Sequence, residues 1–130
     1  MQERINQEIA LLRTRYPDLE YRQDGQWVRI PSYPVSAGWN RTTTPLVFQI
    51  RQGFPGTPPY AFYVPSGITF NGQVPNNYVD SANPQPPFEG PWGIFSWTHT
   101  EDWHVTADPR TGSNLLNWVS GFAQRFREGI

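Results

Sequence analysis

The sequence predicts an α+β domain with an N-terminal helix, a four-stranded antiparallel meander, a long proline-rich loop and a C-terminal helix. Three observations carry this. Apolar residues recur at helical spacing near both ends, they alternate at a spacing of two between residues 19 and 64, and prolines and glycines crowd the stretch between residues 65 and 91. The chain has 130 residues and a mass of 15.0 kDa. That length fits one domain, 1–130, with about two thirds of the extended chain's surface available for burial.

Ile5, Ile9, Leu12 and Tyr16 step by four, three and four, so the first helix runs from residue 2 to about residue 15, where Pro17 stops it. Leu19 to Tyr21 and Trp27 to Ile30 flank Asp24-Gly25, a pairing that reads as a hairpin because glycine tolerates positive φ. A third strand spans Thr44 to Gln52, where Leu46, Phe48 and Ile50 alternate with Val47, Gln49 and Arg51, and a fourth spans Tyr60 to Val64. Between them Phe54-Pro55-Gly56-Thr57-Pro58-Pro59 forms a rigid connection, with a cis bond expected at Pro58-Pro59. Six prolines from Pro65 to Pro91 forbid long regular elements, while Ile68, Phe70, Val74, Tyr78, Val79 and Phe88 anchor this loop as ordered chain. The segment Trp92 to His104 is aromatic, carries both histidines and is expected to be without strands. Ser113 or Asn114 caps a last helix whose apolar stripe is Leu115, Val119, Phe122 and Phe126, with Leu116 and Ala123 beside it.

Composition removes several classes of function. The chain has no cysteine, which excludes disulfides, thiolate catalysis and cysteine-ligated metal. Ten basic residues against eleven acidic ones give a net charge of −1 without a basic stripe, so nucleic acid is not an expected partner. No apolar run reaches the length of a membrane span and the start of the chain does not read as a signal peptide, so no membrane association and a cytoplasmic location are expected. Asn40-Arg41-Thr42 reads as a turn rather than a glycosylation acceptor. All ten basic residues are arginine.

The stretch IRQGFPGTPPYAFYV, residues 50–64, resembles the strand, aromatic-proline, double-proline and strand passage of the ubiquitin-conjugating-enzyme superfamily, shared with its RWD-like relatives. Trp103 followed by a turn and by Leu115, Leu116 and Val119 is similar to that superfamily's tryptophan and crossover helix. More narrowly, Tyr33-Pro34-Val35, Pro58-Pro59-Tyr60-Ala61-Phe62-Tyr63, Phe95-Ser96-Trp97-Thr98-His99 and Trp103 resemble the prokaryotic family-E relatives. The resemblance covers nearly the whole chain. It implies a ubiquitin-conjugating-enzyme-like fold and a place in a bacterial ubiquitin-like modification system, with antiphage defence as one setting. The partners it implies are a ubiquitin-like protein, a ThiF-type activating enzyme or a JAB-type peptidase.

The chain departs from the family where the chemistry sits. Counted back from Trp103, the thioester cysteine's position falls at Phe95 or Ser96, the His-Pro-Asn signature is absent, and only one crossover helix follows. Thioester transfer is therefore not expected.

Ser96, His99 and His104, with Glu101, Asp102 and Asp108 nearby, supply the residue types of a hydroxyl nucleophile, a base and an orienting carboxylate. They are the candidate catalytic residues of a serine enzyme that would form or hydrolyse an oxyester of a ubiquitin-like protein. In a purely architectural role the two histidines would instead hydrogen-bond loop carbonyls. No recognised metal spacing occurs, and no metal or cofactor is expected. Trp92, Phe95, Trp97, Trp103, Pro58 and Pro59 are the candidate binding residues, because rigid aromatic loops supply anchors at low ordering cost, although tryptophans here also serve as core. The leading expectation is a cysteine-less binding or adaptor protein. Its rivals are the Ser/His enzyme and an unrelated small ligand-binding domain.

Overall fold

Helix α1 spans Gln2–Arg13 and buries Ile5, Glu8, Ile9 and Leu12. It stops short of residue 15 because the last turn tightens ahead of Pro17: the Thr14 N–H and hydroxyl both return to the Leu11 carbonyl, at 3.2 and 2.6 Å. The computed structural model describes residues 2–96 and 103–130. Strands β1 (Glu20–Arg22) and β2 (Trp27–Pro34) pair antiparallel about a 3₁₀ turn at Asp24–Gln26, in which Gly25 takes the positive φ (78°) expected of it.

β3 (Thr43–Gln49) pairs with β2, and β4 (Phe62–Pro65) with β3. Both are shorter than predicted. The turn through Gly53 (φ 102°) ends β3 early, and Ala61 (φ 68°) interrupts the extended backbone before β4. The cis bond of this connection lies at Phe54-Pro55 rather than within Pro58-Pro59.

The meander is the first part of a larger sheet. β6 (Trp92–Phe95) adds to the free edge of β4, and β5 (Tyr78–Val79) closes the edge beyond it, giving the antiparallel order β1-β2-β3-β4-β6-β5. The proline-rich loop thus contains a two-residue strand, and the segment beginning at Trp92 starts as a strand, contrary to expectation. Backbone hydrogen bonding explains the difference, since β4 is fully buried through Val64 and its second edge must be paired.

Side chains alternate between the two faces, except at an irregularity in β2 between Ile30 and Tyr33. Val28, Ile30, Leu46, Phe48, Phe62, Val64 and Phe95 point to the helices, while Trp27, Val47, Tyr63 and Trp92 point the other way. The helix face is covered by α1 and by α2 (Leu115–Ser120) and α3 (Phe122–Glu128), with Leu115, Val119, Phe122 and Phe126 all fully buried in one cluster. Phe62 stacks on Phe122 at 4.2 Å, and Trp118 stands edge-on between Phe48 and Phe122. Ala82 and Phe88 of the proline-rich loop cover the opposite face.

The single predicted C-terminal helix is two helices joined at Gly121, a residue with poor helix propensity. Asn114 caps the first by accepting the Asn117 N–H at 2.7 Å. Gly129, left-handed at φ 79°, caps the second. Among the described residues no helix is long and apolar enough to cross a membrane.

Candidate functional site

Strand β6 delivers the chain to the position where the resemblance places a nucleophile. Phe95 is its last residue, and its side chain is fully buried against Phe62, Tyr78, Trp39 and Phe126. Ser96 is exposed; its backbone N–H donates to the Asn77 carbonyl at 2.8 Å, and its hydroxyl makes no hydrogen bond among the described residues. Trp97 and His99, with Glu101 and Asp102, lie outside the described residues.

His104 lies beyond them, exposed, on a small antiparallel ribbon. Its N–H donates to Ser113 Oγ at 2.8 Å, its carbonyl accepts the Ser113 N–H at 2.6 Å, and Val105 bridges Gly112. No hydrogen bond joins Ser96 to His104 among the described residues. Among the described residues the candidate orienting carboxylate is Asp108, and it is engaged elsewhere: it takes Arg110 Nε at 3.2 Å, Nη2 at 3.3 Å and the Arg110 N–H at 3.0 Å. These bonds to Arg110 hold its carboxyl below the usual carboxylate range. Among the described residues no group of three acids or histidines could hold a metal ion.

The candidate binding residues divide by burial. Trp92 and Phe95, 2% and 0% exposed, belong to the two core clusters and offer no contact surface, because β6 is covered on both faces. Trp92 Nε1 is spent on the Phe88 carbonyl at 3.1 Å. Trp103 is half-buried and donates its indole N–H to the Pro55 carbonyl at 2.7 Å, so two motifs far apart in sequence meet in space. Pro59 is buried and Pro58 half-buried. Tyr60 next to them is 48% exposed, and Val74 and Val79 are 73% and 56% exposed.

Sequence reasoning did not single out these three exposed apolar side chains as a site. Tyr60 was expected in the fourth strand and Val74 and Val79 among the loop's anchors, but Tyr60 lies ahead of β4, directly after the double proline, and both valines face outward, Val74 directly before Pro75.

The loop carrying Val74 and Val79 is tied down by Asp80. Its Oδ1 accepts the Gly67 N–H at 2.7 Å and the Tyr78 hydroxyl at 2.8 Å, and its carbonyl accepts Ser66 Oγ at 2.7 Å. The Gly67 N–H and then the Tyr78 hydroxyl hold the Asp80 carboxyl below its ordinary range, while burial raises the Tyr78 phenol. Gly93 makes room for the Tyr78 ring: a Cβ there would lie 2.1 Å from the phenol oxygen. Asn40 is also held in a turn, its amide donating to the Gly67 carbonyl at 2.9 Å and accepting the Thr69 N–H at 3.1 Å.

Among the described residues, then, Ser96, His104 and Asp108 are not hydrogen-bonded to one another, and the large apolar side chains left exposed are Tyr60, Val74 and Val79. No family model matches the chain, and neither does any curated protein or solved structure.

Proposed function

We propose that the chain is a cysteine-less, ubiquitin-conjugating-enzyme-like binding module. It acts as an adaptor in a bacterial ubiquitin-like modification system, with antiphage defence as one setting. Its partner is a ubiquitin-like protein or the ThiF-type enzyme that activates it, with a JAB-type peptidase as a further candidate. Two features support this reading: the order of helix, meander, proline-rich connection and C-terminal helices, and the 2.7 Å bond from Trp103 to Pro55 that joins the motifs carrying the resemblance.

The observation that favours binding over catalysis is the pair Phe95 and Ser96. The first is sealed in the core, and the second presents a hydroxyl that no base engages among the described residues. A serine without a hydrogen-bonded base is a poor nucleophile at neutral pH. An exposed tyrosine on a proline-stiffened loop, by contrast, supplies contact area at little entropic cost.

Calorimetric titration with a bacterial ubiquitin-like protein and its cognate ThiF-type enzyme tests the proposal. One of them should bind, and Tyr60→Ala should weaken that complex by about 1–2 kcal/mol without altering the fold. Binding by neither protein would refute it.

A further inference from the structure

We propose that the chain carries arginine where lysine would otherwise stand so that it cannot accept the acyl group its own conjugation system transfers; this rests on the function proposed above. An isopeptide bond forms when a lysine amine attacks the thioester-activated C-terminal carbonyl of a ubiquitin-like protein. The C–N bond forms, the C–S bond breaks, and the amine's proton leaves with the thiolate. A guanidinium stays protonated and has no lone pair to offer, whereas lysine is the ordinary target of such modification. The chain has ten basic side chains, and all are arginine.

Two simpler explanations fail. Drift in base composition would deplete asparagine along with lysine, because their codons share the first two bases and differ only in the third; the chain retains eight asparagines. Structural need for the guanidinium fork explains some positions only. Arg4 reaches Glu8 and the Thr106 carbonyl at once, Arg110 grips both oxygens of Asp108, and Arg22 lies over the Phe88 ring at 5.4 Å. The side chains of Arg13, Arg15 and Arg51, however, are exposed and make no hydrogen bond or ion pair among the described residues. Lysine would serve there equally well as a solvated charge, yet none of these exposed positions carries an amine that an acyl donor could reach.

The test is a triple variant, Arg13→Lys, Arg15→Lys and Arg51→Lys, which keeps the charge and should leave the thermal midpoint unchanged. Wild type and variant are each produced with a bacterial ubiquitin-like protein and its cognate ThiF-type enzyme, then analysed by intact mass and by native pull-down. The variant should carry the ubiquitin-like protein on one of the new lysines at least tenfold more often than wild type carries it anywhere. Pull-down of the ubiquitin-like protein by both chains with no adduct on the variant would overturn the inference while leaving the binding function standing. Failure of both chains to retain either partner would remove the binding function, and this inference with it.

Discussion

Glu8 Oε1 accepts the backbone N–H of Leu115 at 2.9 Å, a buried hydrogen bond that joins α1 to the first turn of α2 across 107 positions of sequence. The other carboxylate oxygen takes Arg4 Nε at 2.9 Å, and Glu8 has no exposed surface. One side chain thus satisfies an orphan donor at a helix start and neutralises a mostly buried guanidinium.

Glu8→Ala should therefore cost about 3–5 kcal/mol, since it strands both partners. Glu8→Gln keeps an acceptor for Leu115 and should cost about 1–3 kcal/mol. Urea midpoints compare them, and equal losses in the two variants would show that the charge, not the bond to Leu115, matters.

Phe122 tests the packing of the sheet on the C-terminal helices. It is fully buried between Phe62, Trp118 and Tyr33. Truncation to alanine should cost about 3–5 kcal/mol in equilibrium unfolding. A loss below about 1 kcal/mol would mean that this stripe does not face the core.

The main core was readable because its residues obey simple periods. Leu115, Val119, Phe122 and Phe126 follow the helical spacing, and Leu46 and Phe48 follow the strand spacing. The second layer was missed although a signal existed. Trp27-Val28, Leu46-Val47-Phe48 and Phe62-Tyr63-Val64 are continuous apolar runs, which mean that both faces of the sheet are covered. Trp92–Phe95 was missed as a strand because Pro91 and Gly93 read as breakers, whereas Gly93 is where the Tyr78 ring packs. Glu8 gave no warning, as a charged residue at a helix-face position is ordinarily solvated. Of the candidate site, sequence supplied the neighbourhood of Ser96 and Pro59 but could not separate the buried Trp92 and Phe95 from the exposed Tyr60, because all three are large apolar residues and both Trp92 and Tyr60 directly follow a proline.

Acid should loosen the loop that carries Val74 and Val79. The folded carboxyl of Asp80 is held below its unfolded value, so the unfolded chain binds more protons in that range. The contribution of Asp80 is present above about pH 4 and fades as pH falls through the depressed folded value. The stability gap between wild type and Asp80→Asn should accordingly be larger at pH 6 than at pH 3. A gap that widens on acidification would contradict this.

Ser96→Ala should leave partner affinity within about 0.5 kcal/mol of wild type, since its exposed hydroxyl makes no hydrogen bond among the described residues. Calorimetric titration of this variant beside Tyr60→Ala checks this. A loss at Ser96 exceeding that at Tyr60 would move the binding edge to the end of β6.

The central claim is that this chain holds its partner without bonding to it. Mass spectrometry of the chain mixed with the ubiquitin-like protein, the ThiF-type enzyme and ATP, recorded first under native and then under denaturing conditions, tests it most directly. The account predicts a complex in the native spectrum and only the unmodified chain after denaturation. A base-labile adduct that survives denaturation and disappears in Ser96→Ala would contradict it.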